Sequence, residues 1–420
     1  MCGVVSLLLL MALPPEAPAP EPPRELSLPE LVREALEHNP EVLVAARALE
    51  AKRARVPQAA ALPDPMLTYG VVNEGRPVPF QTIGESDFSE AYLGLSQEIP
   101  FPGKRGLRRE VAQQEAEAAV SAYEAVRRRV AADVADAYYD LSVTYASLDS
   151  VEEGARLLEQ LVKVANTRLS VGQASQQDVL DAELEVSRVE ERRSQLGERR
   201  SILEARIARL LCRAGSEPLG RPSPLTPGPA PGPLSDLLRR AEEESPTLRE
   251  KLRLAAQGER LVDLANRERR PDFSVSFTYH NRGSLDPMYS FGGTVTLPNL
   301  HGRQKHALQE AVAGLGGARG AADQARAEVR FAVTEAFQMA STADRLLRLY
   351  DDGILKQARL SLDSAMAQYR VGKVEFTTLM ASWRRLLDYE LSYQEQQAAR
   401  EKALSRLAVH VGPTPAPAGH

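Results

Sequence analysis

The sequence predicts a mainly α-helical chain with a small β part, built from two copies of one unit: a strand pair on a long helical hairpin. Three observations lead to this fold class. Short landmarks recur in the same order about 200 residues apart. After Gly103 an apolar stripe with helical spacing continues for about 65 residues. Four shorter segments alternate apolar with small polar residues, as β-strands of membrane barrels do.

The recurring landmarks define the two copies, which we call the first and second repeats. The first repeat is predicted at 28–212 and the second at 234–411, with a linker rich in Pro and Gly at 213–233. The matching landmarks are Asn39-Pro40 and Ser245-Pro246, Pro63-Asp64 and Pro271-Asp272, Pro100 and Pro298, Gly103-Lys104 and Gly302-Arg303, and Val171-Gly172 and Val371-Gly372.

Composition excludes several classes of protein. Aromatic residues make up 5% of the chain and charged residues 26%, and alanine is abundant, which suits narrow packing of long helices better than a compact core. A net charge of −5 and the lack of a long basic run argue against nucleic acid as a partner. Two cysteines, Cys2 and Cys212, are too few for a disulfide framework or a zinc site.

The two ends of the sequence read as segments outside the fold. The apolar run at 4–13 is too short to span a bilayer and is typical of a signal-peptide core, so 1–19 is predicted as a leader. It lacks the usual positive start, and whether Cys2 carries a lipid stays open. The tail at 412–420 is predicted to be disordered.

The helices follow from spacing and from their terminating residues. Asn39-Pro40 has the form of an N-cap and a first helical residue, and Pro63-Asp64-Pro65 ends the helix that follows. The stripe after Gly103 predicts a helix roughly 100 Å long at 1.5 Å per residue. Such a helix cannot fold back on a globule and must pack sideways on other long helices.

The strands are predicted at about 66–72, 88–99, 272–280 and 288–297. In the third of them apolar side chains occupy one face and Ser, Thr and His the other. The alternative is a half-buried sheet of a soluble protein, in which apolar and polar residues alternate in the same way. Joined to helices of this length, the pattern favours membrane strands, and the predicted lipid-facing residues are Phe273, Val275, Phe277, Tyr279, Phe291 and Val295.

Four strands are too few to close a membrane barrel, because the smallest such barrels have about eight. An open sheet edge in lipid would leave backbone groups without hydrogen-bond partners. Several copies of the chain are therefore expected to share one barrel. The strand count allows a dimer or a trimer and does not choose between them.

The duplicated layout resembles the TolC-like outer membrane efflux family, also called outer membrane factors. The motifs that carry the resemblance are SQEIPFPGKR at 96–105, RLSVG at 168–172 and DVLDA at 178–182. The resemblance covers nearly the whole chain after the leader. The segment at 96–105 looks more like the heavy-metal branch of the family, with CzcC- and CusC-like proteins, than like the drug branch.

The family resemblance implies an assembly and a location. It implies a homotrimer in the outer membrane, with a shared twelve-stranded β-barrel and an α-helical barrel that extends through the periplasm. It also implies a periplasmic adaptor (membrane fusion) protein and an inner-membrane pump, of the RND type, as partners. The two helical turns are then expected at the periplasmic tip, where the adaptor docks.

The residues implied in the tips belong to the two Val-Gly turns. The alternative is that each glycine is only a helix C-cap. The tip residues are Arg168, Leu169, Ser170, Val171 and Gly172 in the first repeat, and Tyr369, Arg370, Val371, Gly372 and Lys373 in the second.

Two carboxylates are candidates for a pore gate. Asp178 and Asp181 lie three residues apart just after the first turn and share a helix face, so a ring of copies would place acidic rings around a cation path. The family carries such a pair in its second repeat, where this chain has Thr378 and Ala381. The alternative is that the two aspartates only complement the start of a helix.

These observations predict an exit duct that conducts substrates passively. We expect no enzyme activity, no cofactor and no metal site, because no nucleotide, catalytic or metal-ligand motif is present. A type I secretion duct and a soluble periplasmic coiled-coil scaffold remain alternatives. The cargo, whether metal, drug or protein, is not specified by the sequence.

Overall fold

A computed structural model describes residues 25–75, 77–213, 219–225, 228–299 and 302–412. The predicted leader and most of the predicted tail lie outside these ranges. The first repeat contains α1 Leu28–His38, α2 Pro40–Ala60, β1 Met66–Val72, β2 Glu90–Ile99, α3 Lys104–Ser170 and α4 Gln176–Leu211. The second contains α5 Leu234–Glu244, α6 Pro246–Arg267, β3 Asp272–Asn281, β4 Met288–Thr296, α7 Arg303–Leu349, a π-helical turn Tyr350–Ile354, α8 Leu355–Arg370 and α9 Phe376–Val411. The predicted fold class, mainly α with four strands and duplicated hairpins, is confirmed.

The Asn39-Pro40 landmark begins a helix in the way its sequence predicts. The Asn39 side chain accepts a hydrogen bond from the Glu41 N–H at 2.9 Å, and Pro40 occupies the first helical position. The same side chain donates to the Leu210 carbonyl oxygen at 3.0 Å. Asn39 therefore caps α2 and also fastens the end of α4 to it.

The long helical segments of the two repeats differ in length by one residue. Helix α3 runs without interruption for 67 residues, Lys104–Ser170. Its counterpart in the second repeat is interrupted by the π-helical turn Tyr350–Ile354, which the helical spacing of the sequence does not reveal. Gly302 follows Gly103 by 199 positions, whereas Val371 follows Val171 by 200. A π-turn accommodates one extra residue without changing the helix register on either side.

The four strands form one antiparallel sheet in the order β1-β2-β3-β4. Strand β2 pairs with β3 and thereby joins the two repeats. One row across the sheet contains Leu67, Leu95, Phe277 and Phe291, which all lie on the same face. Among the described residues, β1 and β4 each pair with a strand on one side only, so the sheet has two open edges.

The helical part of the chain also has two outer edges, in line with those of the sheet. Near the sheet, α3 packs between α2 and α6, and α6 packs on α7. Near the hairpin turns, α3 packs between α4 and α9, and α9 packs on α8. One edge of the chain is therefore formed by β1, α2 and α4, and the other by β4, α7 and α8. Between them the buried residues form long, narrow clusters, such as the one near the turns that contains Leu158, Leu379 and Trp383.

Candidate functional site

The two hairpin turns share one backbone design. In the first, the Gln173 N–H donates to the Arg168 carbonyl oxygen at 2.8 Å and the Gly172 N–H to that of Leu169 at 3.0 Å. In the second, Lys373 and Gly372 repeat the pattern at 2.9 and 3.0 Å. Both are Schellman motifs, and both need the left-handed glycine that follows the helix, with φ of 73° at Gly172 and 75° at Gly372.

A side chain joins the two turns. The guanidinium of Arg168 lies over the Tyr369 ring, 4.6 Å from its centroid, and donates to the Tyr369 carbonyl oxygen. It also donates to the Gln173 carbonyl oxygen at 3.2 Å, and an added Cβ at Gly372 would lie 3.2 Å from it. The structure therefore brings Arg168 and Tyr369, predicted in separate tips, into direct contact.

Tyr369 is the buried member of the predicted tip residues. It is only 3% exposed, and its ring packs on Phe376 with centroids 5.5 Å apart. Burial raises the pKa of the Tyr369 phenol, the charge of Asp178 adds to this, and the charge of Arg168 opposes it. Arg168 and Leu169 are half-buried, and the exposed tip residues are Ser170, Val171, Gly172, Arg370, Val371, Gly372 and Lys373.

The two gate candidates lie at the start of α4. The Asp178 N–H donates to the Ser175 hydroxyl at 3.2 Å, and the Ser175 N–H faces the Asp178 carboxylate at 3.4 Å, which makes a capping box. Asp181 accepts a hydrogen bond from the Gln177 amide at 2.9 Å. Asp178 thus has a local structural role, whatever its part in a pore. The second repeat lacks this box, because α9 follows Glu375 without a side-chain cap.

The exposure of the two sheet faces is the reverse of that in a soluble sheet, where the apolar face is the buried one. Along β3 the apolar residues are exposed and the polar residues between them are half-buried. Phe277 is 40% exposed and Phe291, in the same row, 83%. The other predicted lipid-facing residues, Phe273, Val275, Tyr279 and Val295, are also on this exposed face. A continuous apolar surface on a four-stranded sheet requires a nonaqueous neighbour or a partner.

The polar face carries an acid–imidazole pair near the loops. His280 Nδ1 lies 2.8 Å from a Glu90 carboxylate oxygen, and His280 Nε2 lies 2.9 Å from the Ser290 hydroxyl oxygen. Tyr92 lies beside them, over Gly70. Toward the middle of the strands this face bears small residues such as Ser276 and Gly292. The polar face is therefore one that can border water.

A buried lysine at the start of α3, just after β2, connects the two repeats. Lys104 is 1% exposed; its Nζ lies 2.8 Å from the Asp272 carboxylate, 3.3 Å from that of Glu268 and 2.8 Å from the Arg270 carbonyl oxygen. Asp272 also accepts from the Phe101 N–H at 2.7 Å. In the sequence, Gly103-Lys104 and Pro271-Asp272 were recognised only as landmarks of the two repeats. The signal for the ion pair was present: a basic residue after the glycine and an acid after the proline recur in both repeats.

The open edges of the helical part are apolar as well as unpaired. On one edge Val44 of α2 and Leu184 of α4 are exposed, and on the other Phe331 of α7 and Leu360 of α8. Phe331 is 68% exposed and Val44 69%. Since large apolar side chains line both edges, each edge is suited to contact with another chain.

The described residues contain no group of three or more His, Cys, Asp or Glu that could hold a metal ion. No described helix has an apolar stretch of the length needed to cross a membrane.

Comparison with known proteins identifies close matches in fold. Residues 31–213 match the family model described as outer membrane efflux protein. No curated protein sequence matches the chain. Among solved structures, the outer membrane protein VceC of Vibrio cholerae aligns with a TM-score of 0.76 at 18% identity, over 92% of this chain and 96% of that one. A membrane protein from Pseudomonas aeruginosa aligns with 0.79 at 20% identity, over 96% and 100%. The channel protein CusC aligns with 0.72 at 18% identity, over 92% of each chain.

Proposed function

We propose that the chain is the exit duct of a tripartite efflux system. Two findings support this: residues 31–213 match the model of outer membrane efflux proteins, and nearly the whole chain has the fold of solved outer membrane channels. The observation that carries the proposal is the sheet with an exposed apolar face and a half-buried polar face, continued by helices far longer than a globule allows. The family is one of passive conduits, so the chain is not an enzyme.

The duct is a homotrimer in this proposal. Each chain has two open edges, one formed by β1, α2 and α4 and the other by β4, α7 and α8, and the edges of neighbouring chains join. An even number of antiparallel strands keeps the pairing antiparallel at every seam, and three chains of four strands give a twelve-stranded barrel. Seams of this kind leave no unpaired strand edge in lipid. The number three comes from the family resemblance.

The sheet then spans the outer membrane and the helices extend into the periplasm. The apolar face with Phe277 and Phe291 meets lipid, and the polar face with Ser276 and His280 lines the lumen. The row that contains Tyr69, Tyr279 and Tyr289 lies toward the loops. Tyrosines at that height are typical of the aromatic girdle at a membrane surface.

The hairpin turns form the periplasmic end, where a periplasmic adaptor docks and links the duct to an inner-membrane pump of the RND type. Support for docking comes from the exposed residues of both turns, which include the aliphatic Val171 and Val371 and the basic Arg370 and Lys373. Tyr369 supports this surface from inside, because its ring is buried and its carbonyl oxygen accepts hydrogen bonds from Arg168 and Gly372. An adaptor with apolar and acidic groups at its end would complement this surface.

Heavy-metal cations are the cargo we favour. One feature supports this class: the segment at 96–105, which resembles the heavy-metal branch of the family. A type I secretion duct for proteins is the alternative function within the same fold.

Membrane residence and subunit number are tested together by extraction and mass measurement. The full-length chain is expressed with its predicted leader, membranes are extracted with detergent, and the mass of the complex is determined by native mass spectrometry. We expect the protein only in the detergent extract and a mass of three chains. A folded monomer in the aqueous fraction would contradict the proposal and favour the soluble scaffold.

A test of cargo follows from deletion of the gene. Sensitivity of the deletion strain to divalent metal salts, reversed by the intact gene, is expected for a metal duct. Unchanged metal tolerance together with loss of a secreted protein would favour the secretion duct.

A further inference from the structure

The contact between Lys104 and Asp272 lies at the seam where the first repeat meets the second. Strand β2 of the first repeat pairs with β3 of the second, with Ile99 opposite Phe273. Just beyond this pairing, Lys104 begins α3 and reaches Asp272 at the start of β3, at 2.8 Å. The ion pair therefore closes the seam at its helical end.

Both residues of this pair have counterparts of the same charge in the other repeat. Lys104 follows Gly103 as Arg303 follows Gly302, and Asp272 follows Pro271 as Asp64 follows Pro63. Within the chain Arg303 and Asp64 lie on opposite open edges, at the start of α7 and just before β1, and both are exposed. They are thus oppositely charged residues that the single chain holds apart.

The duplication specifies how two chains would bring them together. Pro100 and Pro298 relate β2 to β4 by a shift of 198 residues, and Pro271 and Pro63 relate β3 to β1 by 208. Applied to the observed pair Leu95 and Phe277, these shifts place Gly293 opposite Tyr69 in the next chain.

The same register places Val295 opposite Leu67 of the next chain and Phe291 opposite its Val71. These residues all belong to the apolar face of the sheet. In this register the apolar residues of β4 and of the next chain's β1 lie on the same face of the joined sheet. A shift by one residue would place them on opposite faces, because side chains alternate along a strand.

We propose that β4 pairs with β1 of the neighbouring chain in this register and that Arg303 forms an ion pair with that chain's Asp64, repeating between chains the Lys104–Asp272 contact seen within one. The inference rests on the proposed homotrimer and names the residues that join it. The counterpart of Glu268 is Ala60, so the pair between chains lacks the second carboxylate that Lys104 has. Arginine suits this position, because one planar guanidinium binds one carboxylate through two hydrogen bonds.

A charge swap tests the pair. The variants are Arg303→Glu, Asp64→Arg and the two together, and the measurement is the fraction of detergent-extracted protein that is trimeric by native mass spectrometry. Each single reversal is expected to reduce the trimer-to-monomer ratio by about ten-fold, since like charges then meet at the seam. The double variant is expected to recover the trimer.

The control is Lys305→Glu, which reverses an exposed charge on a different face of the same helix. It should leave the trimer unchanged. Trimers of both single variants at the wild-type level, or a double variant no better than the singles, would overturn the proposed ion pair. A wild-type protein that is itself not trimeric would instead refute the proposed function.

Cysteine crosslinking tests the register independently of charge. In a Cys212→Ser background, Val295→Cys with Leu67→Cys is expected to give covalently linked chains on oxidation, because directly opposite residues lie within disulfide reach. The matched pair Val295→Cys with Val71→Cys is four residues out of register and should remain unlinked. Efficient linking of the second pair and not the first would show that the register is wrong.

Discussion

The Arg168 guanidinium stacks on the Tyr369 ring and bonds to the carbonyl oxygen of the same residue, so the turn of one repeat is tied to the turn of the other. The two residues are 201 positions apart in the sequence. Because the contact uses both the plane and the N–H groups of the guanidinium, it restricts how the two hairpins move against each other. In the proposed duct this is the end that faces the periplasm.

Replacing Arg168 with alanine is expected to loosen the hairpin turns while the rest of the fold stays intact. The change removes a cation–π contact and two hydrogen bonds, worth about 2–4 kcal/mol together. Amide hydrogen exchange at 168–175 and 369–376 should become faster. The control is Arg370→Ala, whose side chain is exposed in the same region, and it should leave exchange unchanged. Equal exchange in the two variants would show that the Arg168 contact has no stabilising role.

The double variant Asp178→Ala, Asp181→Ala separates capping from gating. The change removes the carboxylate that accepts from the Ser175 N–H but keeps the Ser175 cap, so the start of α4 is expected to lose less than about 1 kcal/mol, which hydrogen exchange at 176–182 would detect. If the two carboxylates also form a gate, single-channel recordings in lipid bilayers should show altered closed-state leak and weaker cation selectivity. Faster exchange with unchanged leak and selectivity would assign the aspartates to capping alone.

Arginine substitutions on the two faces of β3 test which face meets lipid. Phe277→Arg places a charge on the exposed apolar face and is expected to cost about 2–4 kcal/mol at mid-bilayer, lowering the yield of inserted protein. Ser276→Arg, one residue away on the polar face, should insert nearly as well as the wild type. Equal yields of the two variants in the outer membrane would contradict the assigned facing.

Deleting Gly353 tests the origin of the π-turn. If the turn absorbs one extra residue, its removal makes the second long helix continuous, and the melting temperature should stay the same or rise. Deleting the exposed Glu153 from α3 is the control, because there the loss rotates the following residues by about 100° and misplaces their apolar face. That variant should unfold at lower temperature or fail to assemble. Equal damage from both deletions would exclude the proposed origin.

The ion pair between Glu34 and Arg213 gives a pH dependence of stability. Both guanidinium contacts measure 2.6 Å, and the hydrogen bond from Arg213, which outweighs the effect of burial, holds the pKa of Glu34 below its usual 4.5. The stabilisation is present in full above pH 4.5 and is lost as the pH falls through the folded value. Glu34→Gln should therefore melt at lower temperature than wild type at pH 7, and the difference should shrink in acid. Glu37→Gln, at an exposed position of α1, should show no such difference.

Local patterns in the sequence were sufficient for the elements and the fold class. Alternation at 273–280 and the helical stripe after Gly103 depend only on neighbouring residues, and both correspond to elements of the structure. The Asn39-Pro40 cap is local in the same sense. The Arg168–Tyr369 and Lys104–Asp272 contacts could not be predicted this way, because each joins residues more than 160 positions apart. The π-turn was missed for another reason: it appears only when the distances between landmarks are counted to the residue.

The two edges of the chain differ, and this determines which assembly forms when the angle between neighbouring chains is altered. A contact between unlike surfaces leaves one free surface of each kind after every addition, so assembly stops only if the last chain meets the first. Closure therefore depends on the angle between successive chains and not on the strength of the contact. Because the bilayer holds all chains at the same depth, a substitution that changes this angle while preserving the seam is expected to yield open arcs, or rings with a different number of chains.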